Sequence, residues 1–170
     1  MHRLIAELRC EWKILETKIA ALNAEFLSLA RNDAAARRLT DIPGIGVLNA
    51  TALLAAIGNA GSFDRARDLG AWLALVPRQF TTGGKPRLLG ITKRGNIDLR
   101  TLLVHGARAA MPTLSQSDTP LGRWLRGLLS PVMHRNVMIV ALANKLARML
   151  GLPYESNIHT TEHTVPLRRD

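Results

Sequence analysis

An all-α fold is predicted: an N-terminal coiled-coil helix, then a compact helical domain interrupted by one basic, glycine-rich loop. Three observations predict it. Apolar residues recur at helical spacing over most of the 170 residues. The first thirty residues carry a seam that alternates in threes and fours. Between the helical stretches, residues 76–96 stand out as a long segment without apolar periodicity. The length suits one domain with an appended arm. Hydrophobic residues make up 47%, enough for a core, which excludes wholesale disorder. Aromatics are 4%, so that core is built from Leu, Ala, Ile and Val.

The seam runs Ile5, Leu8, Trp12, Leu15, Ile19, Leu22, Phe26 and Leu29. These are a/d positions of a coiled coil over residues 1–32. Pro and Gly are absent before Pro43, so nothing breaks this helix early. The seam can pack on the rest of the chain, pair with a second copy, or dock elsewhere. Asp33 is placed to cap a short Ala-Arg helix. A compact helical domain is expected over 33–152. Its Ala/Leu-rich helix ends at Ile57, with Gly58 as C-cap. A second helix is expected from Asp64, as N-cap, to Leu75. Residues 76–96 read as a loop or a short strand pair, and loops of that length are usually functional. Asn96 can cap the next helix, whose inner side is Ile97, Leu99, Leu102, Leu103 and Ala107. Pro112 is expected to stop it near Met111, with a polar linker over 113–119. Helices follow at about 120–129 and 132–150. The latter is expected to bury Val137, Ile139, Val140, Leu142, Leu146 and Leu150. Residues 153–170 show no periodicity and are expected to be disordered.

Lys and Arg number 23 against 13 acids, a net charge of +10. So large an excess points to a polyanionic partner. The single cysteine, Cys10, excludes an internal disulfide and fits a reducing cytosol. No apolar run is long enough to span a membrane, and the N-terminus does not read as a targeting peptide. A membrane-surface role is disfavoured, because the cations cluster in a glycine-rich loop rather than along a helix face.

Two segments are candidate sites. Pro43-Gly44-Ile45-Gly46 is a tight turn that opens a helix, where free N–H groups suit a phosphate oxygen. Gly44 and Gly46 would let the backbone approach a ligand. The segment resembles the hairpin of helix-hairpin-helix DNA-binding modules; a plain helix-start turn is the alternative. From Pro77 to Arg108 there are seven basic residues and one acid, Asp98. Within that stretch, Thr81 and Thr82 adjoin Gly83-Gly84-Lys85. A hydroxyl on flexible backbone, ringed by cations, offers a nucleophile beside a phosphate. Solvated loop, nucleic-acid contact, and contact with chemistry are the three readings.

The order of motifs resembles the C-terminal transposase domain of the bridge-RNA-guided insertion-sequence transposases. The carriers are Ile42-Pro43-Gly44-Ile45-Gly46, Leu75-Val76-Pro77-Arg78, Thr82-Gly83-Gly84-Lys85, Gly90-Ile91-Thr92-Lys93-Arg94-Gly95-Asn96, and Leu99-Arg100 through His105-Gly106-Ala107. The likeness spans about residues 1–150 and is most specific over 42–110. It implies DNA strand exchange directed by a structured guide RNA, in the cytoplasm at the nucleoid. It implies that a loop hydroxyl attacks a DNA phosphodiester and holds the strand as a phosphoester. It implies a homo-oligomer assembled through the coiled coil.

The resemblance also implies a separate RuvC-like domain whose acids bind Mg²⁺. That domain has no counterpart in this sequence, so a truncated or split enzyme and no cofactor in this chain are expected. The usual nucleophile is a serine before the first loop glycine; here that position is Thr82, with Thr81 the second choice. A β-branch stiffens χ1 and crowds an in-line attack. An inactive copy or a nucleic-acid-binding module is therefore the alternative function. Arg78, Lys85, Arg87, Lys93, Arg94 and Arg100 are the implied phosphate or RNA contacts. His159-Thr160-Thr161-Glu162-His163 fits a zinc-peptidase pattern but has only Asp170 after it as a further acid, so it is set aside. His105 reads as a packing residue, and Trp72 and Trp124 as core.

Overall fold

The computed structural model describes residues 2–58, 63, 65–92, 94–128 and 133–150. Expectations for Asp64, Lys93, the 153–170 tail and the His159–His163 pattern lie outside these residues. Helix α1 (His2–Asn32) continues unbroken through the proline-free segment. At 1.5 Å per residue it is about 46 Å long. Only its C-terminal end packs on the body, through buried Ala30 and half-buried Phe26. The seam residues Ile5, Leu8, Trp12, Leu15, Ile19, Leu22 and Leu29 are all at least half exposed. Packing against the described body is thus not the fate of the seam.

Asp33 caps α2 (Ala34–Thr40) as expected: its Oδ1 accepts from Ala35 N–H (2.7 Å) and Ala36 N–H (3.3 Å). Helix α3 (Val47–Ile57) ends at Gly58, which takes φ +64°. Helix α4 is shorter than expected, Ala66–Trp72, with Arg65 as its N-cap residue. It stops because Ala74 adopts a left-handed φ of +53°. Leu75 N–H then donates to Gly70 O (3.0 Å) and Ala74 N–H to Ala71 O (2.9 Å). That pair of bonds satisfies the last carbonyls of the helix.

The all-α expectation needs one correction. Residues 77–91 form an antiparallel hairpin, β1 (Pro77–Thr82) and β2 (Lys85–Ile91). The stretch is the strand pair that the sequence left open beside a loop. A second correction concerns Pro112. Helix α5 runs Ile97–Gln116 straight through it. Met111 and Leu114, on either side of the proline, are both buried. Burying them offsets the roughly 3 kcal/mol that an interior proline costs. Asn96 caps α5 as predicted, accepting from Leu99 N–H (3.1 Å). Helices α6 (Pro120–Leu128) and α7 (Arg135–Leu150) complete the described fold.

Helix α7 lies against α4, α5 and α6, so its stripe forms the centre of the core. Ile139, Leu142 and Leu146 are fully buried there, with Leu69, Leu73, Leu75, Leu103 and Leu125 around them. Val137 and Ile97 were expected inside but are exposed, at the first turns of their helices. Met138, Ala143 and Ala147 fill the α7 stripe instead.

The Pro43–Gly46 turn crosses α5 at Gly106. A Cβ on Gly106 would stand 2.0 Å from Gly44 O and 2.6 Å from Asn49 Nδ2. Buried Asn49 donates to Gly44 O (3.1 Å), which ties the turn to its own helix. Gly106→Ala is expected to destabilise the domain by about 1–3 kcal/mol in denaturant unfolding, since backbone must yield. Gly46→Ser should be neutral or stabilise by a few tenths of a kcal/mol, because space beside Gly46 is open and Ser caps slightly better than Gly.

Candidate nucleic-acid interface

Every residue of β1 is exposed, and the strands pack chiefly on each other. The hairpin therefore projects from the helical body. Its turn is Gly83-Gly84, with φ of +59° and +75°. Two successive positive φ values match the right-handed twist of the flanking strands, which is why two glycines fit there.

The register sorts the two threonines. Thr82 pairs with Lys85, Thr81 with Pro86, and Phe80 with Arg87. Paired residues share a face, and faces alternate along a strand. One face thus gathers Thr82, Phe80, Lys85 and Arg87. The other carries Thr81 with Gln79 and Pro86, and Gln79 Nε2 donates to Thr81 Oγ1 (3.3 Å). A hydroxyl, an aromatic ring and two cations on one exposed face make a surface for a phosphodiester and its base. Thr81 is across the sheet from that group.

The base of the hairpin is anchored on the left-handed turn after α4. Gly95 lies so close that an added Cβ would stand 2.2 Å from Trp72 O and 2.6 Å from the Leu73 carbonyl carbon. Arg100, half-buried, extends a guanidinium nitrogen to Leu73 O at 3.4 Å. Arg100 thus contacts the hairpin's base rather than its tip. Arg78 and Arg94 are exposed near the two feet of the hairpin. A bulge in β2 sets Leu89 and Gly90 opposite the single residue Arg78 and shifts the register there. Sequence reading missed Gly95 and the strained Ala74, since neither has a distinguishing neighbour pattern.

The Pro43–Gly46 turn divides its two glycines between two tasks. Gly44, at φ +91°, is pressed against Ala110, Leu146 and Gly106 O, all 3.1–3.2 Å from where a Cβ would stand. Its missing side chain serves internal packing. Gly46 is exposed, with nothing within 4 Å of its Cβ position, and opens α3 without a side-chain cap. His105, expected as a packing residue, is exposed in the groove beside this turn, with Leu102 and Ala109. It sits on the same helical stretch as Gly106, on the side that α7 leaves uncovered. Trp72 is 40% exposed and meets Phe63 at 5.9 Å, so it is an edge residue rather than core. Trp124 is half-buried.

Among the described residues no group of three or more His, Cys, Asp or Glu could hold a metal ion. No described helix is long and apolar enough to cross a membrane.

Residues 36–119 match the family model described as Transposase IS116/IS110/IS902 family. That span holds the glycine turn, the hairpin and the whole of α5. This chain carries an IS116/IS110/IS902-family transposase domain. It is 46% identical over 150 residues to a probable family 20 transposase of Pseudomonas aeruginosa, covering 88% of this chain and 44% of the relative. It is 42% identical over 147 residues to the transposase for insertion sequence element IS1328 of Yersinia enterocolitica, covering 86% and 44%. It is 38% identical over 150 residues to the transposase for IS1111A of Coxiella burnetii, covering 88% and 41%. The chain spans less than half the length of these relatives.

Among the described side chains of the transposase domain's hairpin none is fully buried, and those of the turn are exposed, so the turn can be altered without unfolding the body. Gly83→Asn should keep the Thr82–Lys85 pairing, because Asn tolerates positive φ. Gly84→Val should lose it, while global stability changes by no more than about 0.5 kcal/mol. Cross-strand nuclear Overhauser contacts and denaturant unfolding check the two halves.

Proposed function

We propose that this transposase domain binds DNA, with a structured guide RNA, and supplies the hydroxyl for strand exchange. The observation that carries the reading is the single hairpin face bearing Thr82, Phe80, Lys85 and Arg87. On this reading Lys85 and Arg87 grip the phosphate oxygens, with Arg78, Lys93 and Arg94 on flanking phosphates. Gly83 and Gly84 leave room for the strand, and exposed Gly46 lends first-turn amides of α3 to a second phosphate. Gly44 shapes that turn from beneath. Thr82 Oγ gives up its proton and forms a bond to phosphorus, the bond from phosphorus to one deoxyribose oxygen breaks, and that leaving oxygen takes up a proton, so the exchange is proton-neutral overall. The resemblance assigns metal chemistry to a RuvC-like domain, and Mg²⁺ is accordingly proposed to act there.

The exposed seam of α1 supports assembly of copies into a coiled coil. Four heptads of unpartnered Ile, Leu and Trp are a large apolar surface to leave in water. Two seam substitutions, Leu15→Asp and Leu22→Asp together, should shift sedimentation to the monomer.

An alternative is a binding module that does no chemistry. It draws on the β-branch at Thr82, which crowds an in-line attack unless the strand already aligns the hydroxyl. The two readings separate in one experiment. Full chain, labelled insertion-sequence-end DNA and an acidic RuvC-like domain in trans are incubated with Mg²⁺. A covalent protein–DNA adduct should form, vanish with Thr82→Ala, and persist with Thr81→Ala. Adduct that survives Thr82→Ala removes this residue as nucleophile. DNA binding without adduct under all conditions selects the binding module. In either case binding should weaken steeply with salt, because each neutralised phosphate releases counterions.

A further inference from the structure

Helices α6 and α7 contain five cations, Arg123, Arg126, Arg135, Lys145 and Arg148, and no acid. Two of the five are committed. Arg126 donates to Ser117 O (2.6 Å) and Ser115 O (3.2 Å), and both Arg123 and Arg126 pair with Asp118. They close the C-terminal end of α5. Lys145 and Arg148 are different. They are three residues apart on α7, so they share a face. No carboxylate among the described residues pairs with either.

Lys145 Nζ stands 4.4 Å from the centroid of the Trp124 ring. Arg148 lies beside Gly70 of α4, with Cγ 3.8 Å from the position of a Cβ there. Burial, and then the Arg148 charge, push the Lys145 ammonium below the usual lysine range. Two like charges packed together, one half-desolvated on an indole, are an unfavourable arrangement in isolation. A phosphate placed between them removes the repulsion, and the indole beside them offers a stacking edge. The hairpin, packed chiefly on itself, makes no extensive contact with α6 or α7.

We infer that Lys145, Arg148 and Trp124 form a second nucleic-acid site, which takes one phosphate of a strand and is separate from the hairpin face. The inference rests on the nucleic-acid reading of the hairpin but uses none of its residues. Two separate cationic surfaces let one domain hold two segments of nucleic acid, which strand exchange requires.

Tryptophan fluorescence tests this. The Trp12→Phe and Trp72→Phe background leaves Trp124 as the only indole. A fluorescein-labelled oligothymidine strand reports total binding by anisotropy, and Trp124 emission reports the site. In low salt the emission should change saturably on addition of the strand. Lys145→Gln with Arg148→Gln should weaken that response about tenfold and lower the salt slope of total binding by about one to two. Lys145→Arg should restore it, since Arg also sits over indole and binds phosphate. Lys85→Gln with Arg87→Gln should weaken total binding yet leave the Trp124 response in place. Total binding with unchanged Trp124 emission overturns the second site and spares the hairpin reading. So does a response that the hairpin pair abolishes and the α7 pair does not touch. Absence of any anisotropy change in the unsubstituted background overturns both.

Discussion

The crossing of the Pro43–Gly46 turn over α5 is the contact on which the rest of the arrangement depends. Backbone meets backbone there, with Gly44 O against Gly106. Neither side can carry a side chain, and Gly44 also needs a left-handed φ. Asn49 locks the geometry by donating to the same Gly44 oxygen from inside α3. This close approach brings α3 onto α5, and α5 in turn lies on α7. Because α5 begins at the foot of the hairpin, the crossing also settles where the hairpin leaves the body. A short motif that reads as a ligand turn is thus first a packing device. Gly44 faces the core and Gly46 faces solvent, so the two functions divide within three residues.

A second joint governs the direction of the hairpin. Ala74 takes a left-handed conformation that costs an L-residue about 1–2 kcal/mol relative to glycine. It is held there by buried Leu73 and Leu75, whose burial is worth about 1.5–3 kcal/mol each. Gly95 then stacks on the Trp72 and Leu73 backbone, and Arg100 reaches Leu73 O. Both feet of the hairpin are therefore set by a strained but over-determined turn. The strands beyond those feet contribute little burial. Stability and surface chemistry are consequently separable: core substitutions should unfold the domain, whereas hairpin substitutions should leave it folded.

Most of the helices were legible because their apolar spacing, caps and glycine stops agree. Asp33, Gly58 and Asn96 act at the ends where composition puts them. Legibility failed where tertiary packing overrode a local rule. Pro112 reads as a stop, yet burial of Met111 and Leu114 carries α5 past it. Ala74 carries no glycine signal, so the end of α4 could not be placed before the structure. Val137 and Ile97 are apolar at helical spacing but fall on first turns that no neighbour covers. His105 sits among apolar residues in sequence and on open surface in space. Residues 76–96 stayed open between a loop and a strand pair, and only the observed register separates Thr82 from Thr81, which composition alone cannot do.

That separation bears on why a threonine sits at the turn. Position 82 is the last paired residue before two left-handed glycines, so its backbone is extended and its χ1 choices are few. In a flexible loop this stiffness would count against a nucleophile. At the end of a registered strand it has the opposite effect, because the hydroxyl is already restricted to a face shared with Lys85 and Arg87. On the proposed reading, the entropy of aligning it with a phosphate held by those cations would be largely met by folding. A β-branched residue suits a position where alignment comes from the strand, whereas an unbranched hydroxyl suits one where the loop must adjust. On that reading the register of the hairpin, rather than the identity of the hydroxyl alone, governs whether the proposed chemistry is feasible at this turn.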